Sequence, residues 1–103
     1  MNENEFRNWS RKAAEWGVDY RNGLRDRPVR AQTRPGAIFN ALPTDAPEAP
    51  EPMDAIFADF ERIVLPGITH WQHPRFFAYF PANAAPASVI AEQLVSAMAA
   101  QCM

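Results

Sequence analysis

The first clear pattern along the chain is a stripe of large apolar residues at helical spacing. Phe6, Trp9, Ala13, Trp16, Gly17, Tyr20 and Leu24 fall within about 100° of arc at 3.6 residues per turn, which predicts a helix over roughly 4–24. The opposite face carries Arg7, Asn8, Arg11, Lys12, Glu15, Asp19, Arg21 and Asn22, so the helix lies on something apolar and turns a polar back to water. Two tryptophans, a phenylalanine and a tyrosine on one stripe suit either an ordinary core or a contact with another subunit.

From Arg25 to Pro52 the periodicity dissolves. Asp26-Arg27-Pro28, Arg34-Pro35-Gly36, Leu42-Pro43 and Asp45-Ala46-Pro47-Glu48-Ala49-Pro50 cannot continue a helix or a central strand. A long extended connection is expected, of the kind that wraps over a larger body, with the Ala/Pro/Glu-rich stretch 41–52 as a linker. A second helix is predicted over 52–65, with Pro52 at its first position, Met53, Ile56, Phe57, Phe60, Ile63 and Val64 on its apolar face, and Pro66-Gly67 ending it. Residues 68–83 concentrate aromatic and imidazole groups without any period. A third helix starts near Pro86 and is expected to run to the end through Val89, Ile90, Leu94, Val95, Met98 and Cys102, with small residues on its other face that suggest close packing on both sides. The fold class is therefore all-α: three helices with long extended connections. The absence of a stop signal at Met103 makes the chain look cut.

Composition narrows the function. The chain has 103 residues with ten prolines, which leaves little from which to build an independent core, and a free-standing enzyme is not expected. Ten basic against twelve acidic side chains argue against a dedicated nucleic-acid or anionic-membrane binder. Residues 1–34 hold eight of the basic groups against five acidic ones, which reads as a solvated or subunit-facing surface. The single cysteine, Cys102, suits a reducing cytoplasm and reads as an apolar filler. No secretory signal or membrane span is apparent, so a soluble cytoplasmic protein is expected.

Candidate chemistry is sparse. His70 and His73 offer two imidazoles but no further metal ligands nearby. No serine sits in a nucleophile-elbow context, and the four glycines are too far apart for a phosphate loop. Lys12, the one lysine, lies on the polar face of the first helix, where it lacks the shelter a Schiff-base lysine needs. What remains is His70–Pro81, whose aromatic side chains either form core under a loop or bury a flat ligand oriented by His70 and Tyr79.

At this segment the sequence resembles the aromatic-L-amino-acid decarboxylase family, the group II pyridoxal-phosphate decarboxylases. The resemblance is carried by Leu65-Pro66-Gly67-Ile68-Thr69-His70-Trp71, then His73-Pro74, then Phe76-Phe77-Ala78-Tyr79-Phe80-Pro81. Glu5-Phe6-Arg7, Val18-Asp19-Tyr20 and Ile56-Phe57-Ala58-Asp59-Phe60-Glu61-Arg62-Ile63 extend it to nearly the whole chain.

The resemblance implies that residues 1–103 are the N-terminal part of a fold-type I α/β enzyme. That enzyme would bind pyridoxal 5'-phosphate, act as a homodimer and convert an L-amino acid with a flat or bulky side chain to an amine and CO2. The segment would pack across the neighbouring subunit and wall the substrate pocket through Trp71, Tyr79, Phe80, Pro81 and Ala82, with Gln101 and Met103 reaching the pocket from the other subunit. It would carry no catalytic residue, since the cofactor's lysine and its other partners lie beyond Met103. Ala82 stands where the family often has a threonine able to bond a ring hydroxyl, which leaves a catechol substrate less secure. A stand-alone helical interaction module is the competing reading, and a decarboxylase-like protein without activity a third.

Overall fold

The structure, a computed structural model, describes residues 1–80 and 84–99. Among these residues every regular element is helical: α1 (Glu3–Asn22), α2 (Ala37–Ala41), α3 (Met53–Asp59) and α4 (Pro86–Met98). Helix α1 begins where its capping chemistry dictates. The Asn2 side chain accepts from the Glu5 backbone N–H at 2.9 Å while the Glu5 carboxylate accepts from the Asn2 N–H at 2.8 Å, so two otherwise orphaned donors are satisfied reciprocally. Gly23 closes the other end, and the chain leaves through a 3₁₀ turn, Leu24–Asp26.

The stripe of α1 lies along α3 and the turn that follows it. The Trp9 and Phe57 rings stand 5.5 Å apart and tilted, Trp16 meets Phe60 edge-on at 5.2 Å, and Trp16 stacks on Tyr20 at 5.2 Å. The Trp16 indole N–H donates to the Glu61 carboxylate at 3.1 Å. Lys12 folds its ammonium over Trp9 at 4.3 Å and over Phe57 at 4.9 Å, covering one flank with a cation–π contact. Of the two readings of this stripe, core or subunit contact, the contacts within the chain bear out the first in part: Trp9, Trp16 and Tyr20 face partners in their own chain and are left half-buried. Phe6, at the open end of the stripe, stays exposed.

Three expectations about the elements also change. The 25–52 connection is not wholly extended, because Arg34-Pro35-Gly36-Ala37 folds into a turn closed by the Ala37 N–H on the Arg34 carbonyl at 3.0 Å. Gly36 has φ 82°, ψ −9° at the position where a type II turn requires a left-handed residue, and this turn launches the five-residue α2.

The helix predicted over 52–65 is α-helical only over Met53–Asp59, with Pro52 as its N-cap rather than its first turn. It continues as a π turn, Phe60–Val64, in which the Leu65 N–H reaches back five residues to the Phe60 carbonyl, and then as a 3₁₀ turn, Leu65–Gly67. Pro66 supplies the reason: it has no N–H to give the Arg62 carbonyl, and its ring crowds that oxygen, so the preceding turn widens. The widened turn buries Ile63.

Helix α4 starts at Pro86, as expected, but stops at Met98, with Ala99 left-handed at φ 49°. Its described side chains are all exposed, so the packing expected on both sides of α4 is not supplied by the described residues. Cys102 lies outside the described residues.

Helix α2 and Gly67 are locked together. A methyl group added at Gly67 would sit 2.6 Å from Cγ1 of Ile38 and 2.9 Å from its Cδ1. Gly67→Ala is therefore expected to weaken the docking of α2 by about 1–3 kcal/mol. Faster limited proteolysis within residues 25–52 of the intact protein is the readout, and adding Ile38→Ala should cost less than the two single changes summed. Unchanged cleavage would show that Ile38 moves aside freely.

Little of this forms a core. Leu24 and Ile63 are the buried hydrophobic residues among those described, and the radius of gyration is 16.0 Å, against about 13 Å for a compact chain of this length. No helix among the described residues is long and apolar enough to cross a membrane.

Candidate functional site: a histidine-anchored aromatic shelf

The segment after Gly67 is fixed at its base and open at its tip. His70 and His73 are both buried, at 4% and 6% exposure, whereas Trp71 between them is half exposed. The His70 backbone N–H donates to the Val29 carbonyl at 2.8 Å, which pins the segment to the extended chain after α1. Two turn bonds then fold it: His73 N–H to the His70 carbonyl at 3.0 Å and Phe76 N–H to the His73 carbonyl at 2.9 Å.

Above this base the Trp71 ring lies 5.0 Å from Phe76 and 5.8 Å from Tyr79, forming a shelf of three rings. Tyr79 holds φ 57°, a left-handed backbone that costs a non-glycine residue of order 1 kcal/mol and turns Phe80 fully outward. The expected pocket residues therefore divide. Trp71 and Tyr79 come together, Phe80 stands exposed beside them, and Pro81, Ala82, Gln101 and Met103 lie outside the described residues.

His70 does not orient a ligand in this arrangement; it faces α1. Its Nδ1 is 2.7 Å from the Tyr20 hydroxyl, with the two rings 5.6 Å apart, while the Arg27 guanidinium lies over the Tyr20 ring, 5.2 Å from its centre. Sequence reasoning placed Tyr20 on the stripe but did not foresee this role. The available signal was its hydroxyl, since a tyrosine on an apolar face needs a polar partner at its tip. Arg27 and Val29, inside the connection, carried no pattern that would have marked them.

Burial pushes the His70 pKa below the ordinary 6.5, and the neighbouring Arg27 and His73 push the same way. Burial raises the Tyr20 phenol above 10.0, partly offset by Arg27. The sign follows from linkage. His70 takes up a proton more readily unfolded than folded, so its contribution to stability is complete above about pH 6.5 and is lost as pH falls through its lowered pKa. Tyr20 contributes below about pH 10 and loses that contribution as pH rises through its raised pKa. An NMR titration of the His70 imidazole in the intact protein should therefore give a midpoint below 6.5; a midpoint at or above it would contradict the buried, cation-flanked setting.

A sizeable concavity lies elsewhere. A groove of about 720 Å³ runs between α1 and α4, lined mainly by Ala13, Gly17, Val18, Leu24, Val89 and Ile90, and none of Trp71, Tyr79 or Phe80 borders it. Arg21 ties its end by donating to the Ala84 carbonyl. No cluster of three or more potential metal ligands exists among the described residues.

Comparison with known proteins places this helical chain and the aromatic shelf on its Pro-Gly/Thr-His-Trp turn. The chain belongs to the pyridoxal-dependent decarboxylase family, whose conserved domain matches residues 35–103. Among its relatives, the aromatic-L-amino-acid decarboxylase of Manduca sexta is 41% identical over 100 residues, which are 96% of this chain and 20% of that protein.

Two solved structures superimpose closely. The 4-hydroxyphenylacetaldehyde synthase of Rhodiola rosea matches at a TM-score of 0.86 and 35% identity. The Oryza sativa TDC with PLP and tryptamine matches at 0.87 and 30%. Each likeness covers 96% of this chain and 21% of the other. The chain thus spans about a fifth of the length of the relatives it matches.

Proposed function

We propose that this chain is the N-terminal arm of a pyridoxal-phosphate-dependent decarboxylase acting on aromatic or bulky L-amino acids, and that it walls the pocket for the substrate side chain. The observation that carries the reading is the Trp71–Phe76–Tyr79 shelf, exposed on one side and anchored by two buried histidines on the other. Flat rings presented this way stack on a flat side chain and keep water from it. Phe80, Pro81 and Ala82 continue the wall, and Gln101 and Met103 reach the pocket of the other subunit in a homodimer. The exposed apolar side of α4, with Val89, Ile90, Leu94 and Met98, supports that dimer contact. The single cysteine suits a cytoplasmic enzyme.

The described residues are not suited to holding the cofactor. Lys12 keeps its ammonium over Trp9 and Phe57 on the surface of α1, and no glycine-rich turn cradles a phosphate. When bound, pyridoxal phosphate supplies an electron sink for the carbanion left by loss of CO2, and its anchor belongs to another part of the subunit. The work of this chain's own residues is to shape, orient and exclude water.

A second reading has a specific support. The similarity to an aldehyde synthase allows the same pocket wall to serve an enzyme whose product is an aldehyde. The test is direct. The intact protein, incubated with a panel of aromatic L-amino acids, should release CO2 and show a cofactor absorbance band that borohydride reduces. An amine product supports the decarboxylase and an aldehyde the synthase. A protein with neither band nor CO2 would leave the interaction module or the inactive relative, which no feature of the structure favours.

A further inference from the structure

We propose that His70 and His73 are positioning residues, a pair of buried imidazoles that clamp the Thr69–Phe76 turn onto the end of α1 and thereby hold the Trp71 indole in the shelf. The proposal rests on the reading of the shelf as a substrate wall. It assigns that wall's geometry to groups that would not touch the substrate.

The two imidazoles grip different pieces of chain. His73 Nδ1 accepts the Arg75 backbone N–H at 3.0 Å, so in the neutral ring the proton sits on Nε2, which donates to the Arg25 carbonyl at 3.2 Å. One ring therefore joins the far side of the turn to the 3₁₀ exit of α1, with its tautomer set by both contacts. His70 joins the near side twice, through its backbone to Val29 and through Nδ1 to the Tyr20 hydroxyl. Trp71 and Gln72 are the only residues between the clamped positions, so the backbone that aims the indole has little freedom.

Tyr20 is itself held. Its ring is stacked on Trp16 and capped by Arg27. The line Trp16–Tyr20–His70–Trp71 thus links the packing of α1 on α3 to the shelf. A spacing of three between the histidines suits this clamping, because the His73 N–H to His70 carbonyl bond closes the turn on itself and leaves both rings directed into the protein.

The test is a double-mutant cycle on the intact, cofactor-loaded enzyme. Tyr20→Phe removes one hydroxyl and keeps the stacked ring. It should raise KM for the aromatic amino acid about five- to tenfold, the loss of one well-placed hydrogen bond, with kcat within about twofold and the cofactor absorbance unchanged. In a Trp71→Ala background the same substitution should add nothing further, because the clamp acts through Trp71. His73→Gln, which keeps an amide donor, gives a second arm with the same expected pattern. An unchanged KM in Tyr20→Phe, or an equal penalty in both backgrounds, would overturn the clamp. If instead Trp71→Ala alone leaves KM unaltered, the pocket reading itself fails and the clamp with it, so the two failures are told apart by which single variant is silent.

Discussion

Replacing Trp16 with alanine is expected to loosen α1 from the rest of the chain by about 2–4 kcal/mol, toward the lower part of the range for losing a large aromatic because the ring is only partly buried. The residue carries more of the α1–α3 contact than its neighbours do. It stacks on Tyr20, meets Phe60 edge-on and donates to Glu61, whereas Trp9 has one ring partner and the cover of Lys12. In the intact protein the loss is local, so hydrogen exchange of the α1 amides is a better measure than a global melt. Exchange should accelerate by roughly 30- to 1,000-fold, the equivalent of that free energy. Trp16→Phe keeps a ring but not the indole N–H, and should cost about 1 kcal/mol. If Trp16→Ala leaves the α1 amides as protected as before, the helix is held by protein beyond these contacts.

The second large effect is expected at Trp71. Trp71→Ala removes the central ring of the shelf, and kcat/KM for an aromatic amino acid should fall by about 100-fold, near 3 kcal/mol, carried mostly by KM because a wall binds substrate and transition state alike. Small aliphatic amino acids, which cannot use the ring, should lose much less. A uniform fall across side chains would mean a general disturbance of the site. Trp71→Phe should fall between the two, since a smaller ring still offers a face to the substrate and to Phe76.

Much of this was legible in the chain and some of it was not, for reasons that differ by residue. The apolar stripe from Phe6 to Leu24 predicts α1 because twenty residues give a period of 3.6 room to declare itself, and Asn2 and Glu5 make its start chemically definite. The five residues of α2 give no such room, and the Pro35-Gly36 pair that launches it reads equally well as loop. A stripe also says how much apolar surface must be covered without saying by what. Core and subunit contact are both physically open readings of the first stripe in the sequence, and the structure adds that Phe57 and Phe60 lie beneath it. In the shelf, the meeting of Trp71 with Tyr79 was legible because aromatic groups cluster there along the chain. The roles of Tyr20, Arg27 and Val29 were not, since each lies more than forty residues from the histidine it serves, and separation along the chain hides such pairings.

The π turn at Phe60–Val64 has a consequence for how this segment tolerates change in length. One extra residue per turn is what a single insertion into an α-helix produces, and the wide turn sits between the rings that grip α1 and the Pro-Gly step that aims the shelf. Deleting one residue there would let the helix close to its regular pitch and keep the chain downstream close to its present phase, whereas the same deletion within Met53–Asp59 would swing everything downstream by about 100° around the axis, one residue's share of a turn. The aromatic tip would then point away from His70's anchorage on Tyr20. The wide turn can thus give up a residue that α3 itself cannot, and the length of α3 sets the direction in which the shelf faces.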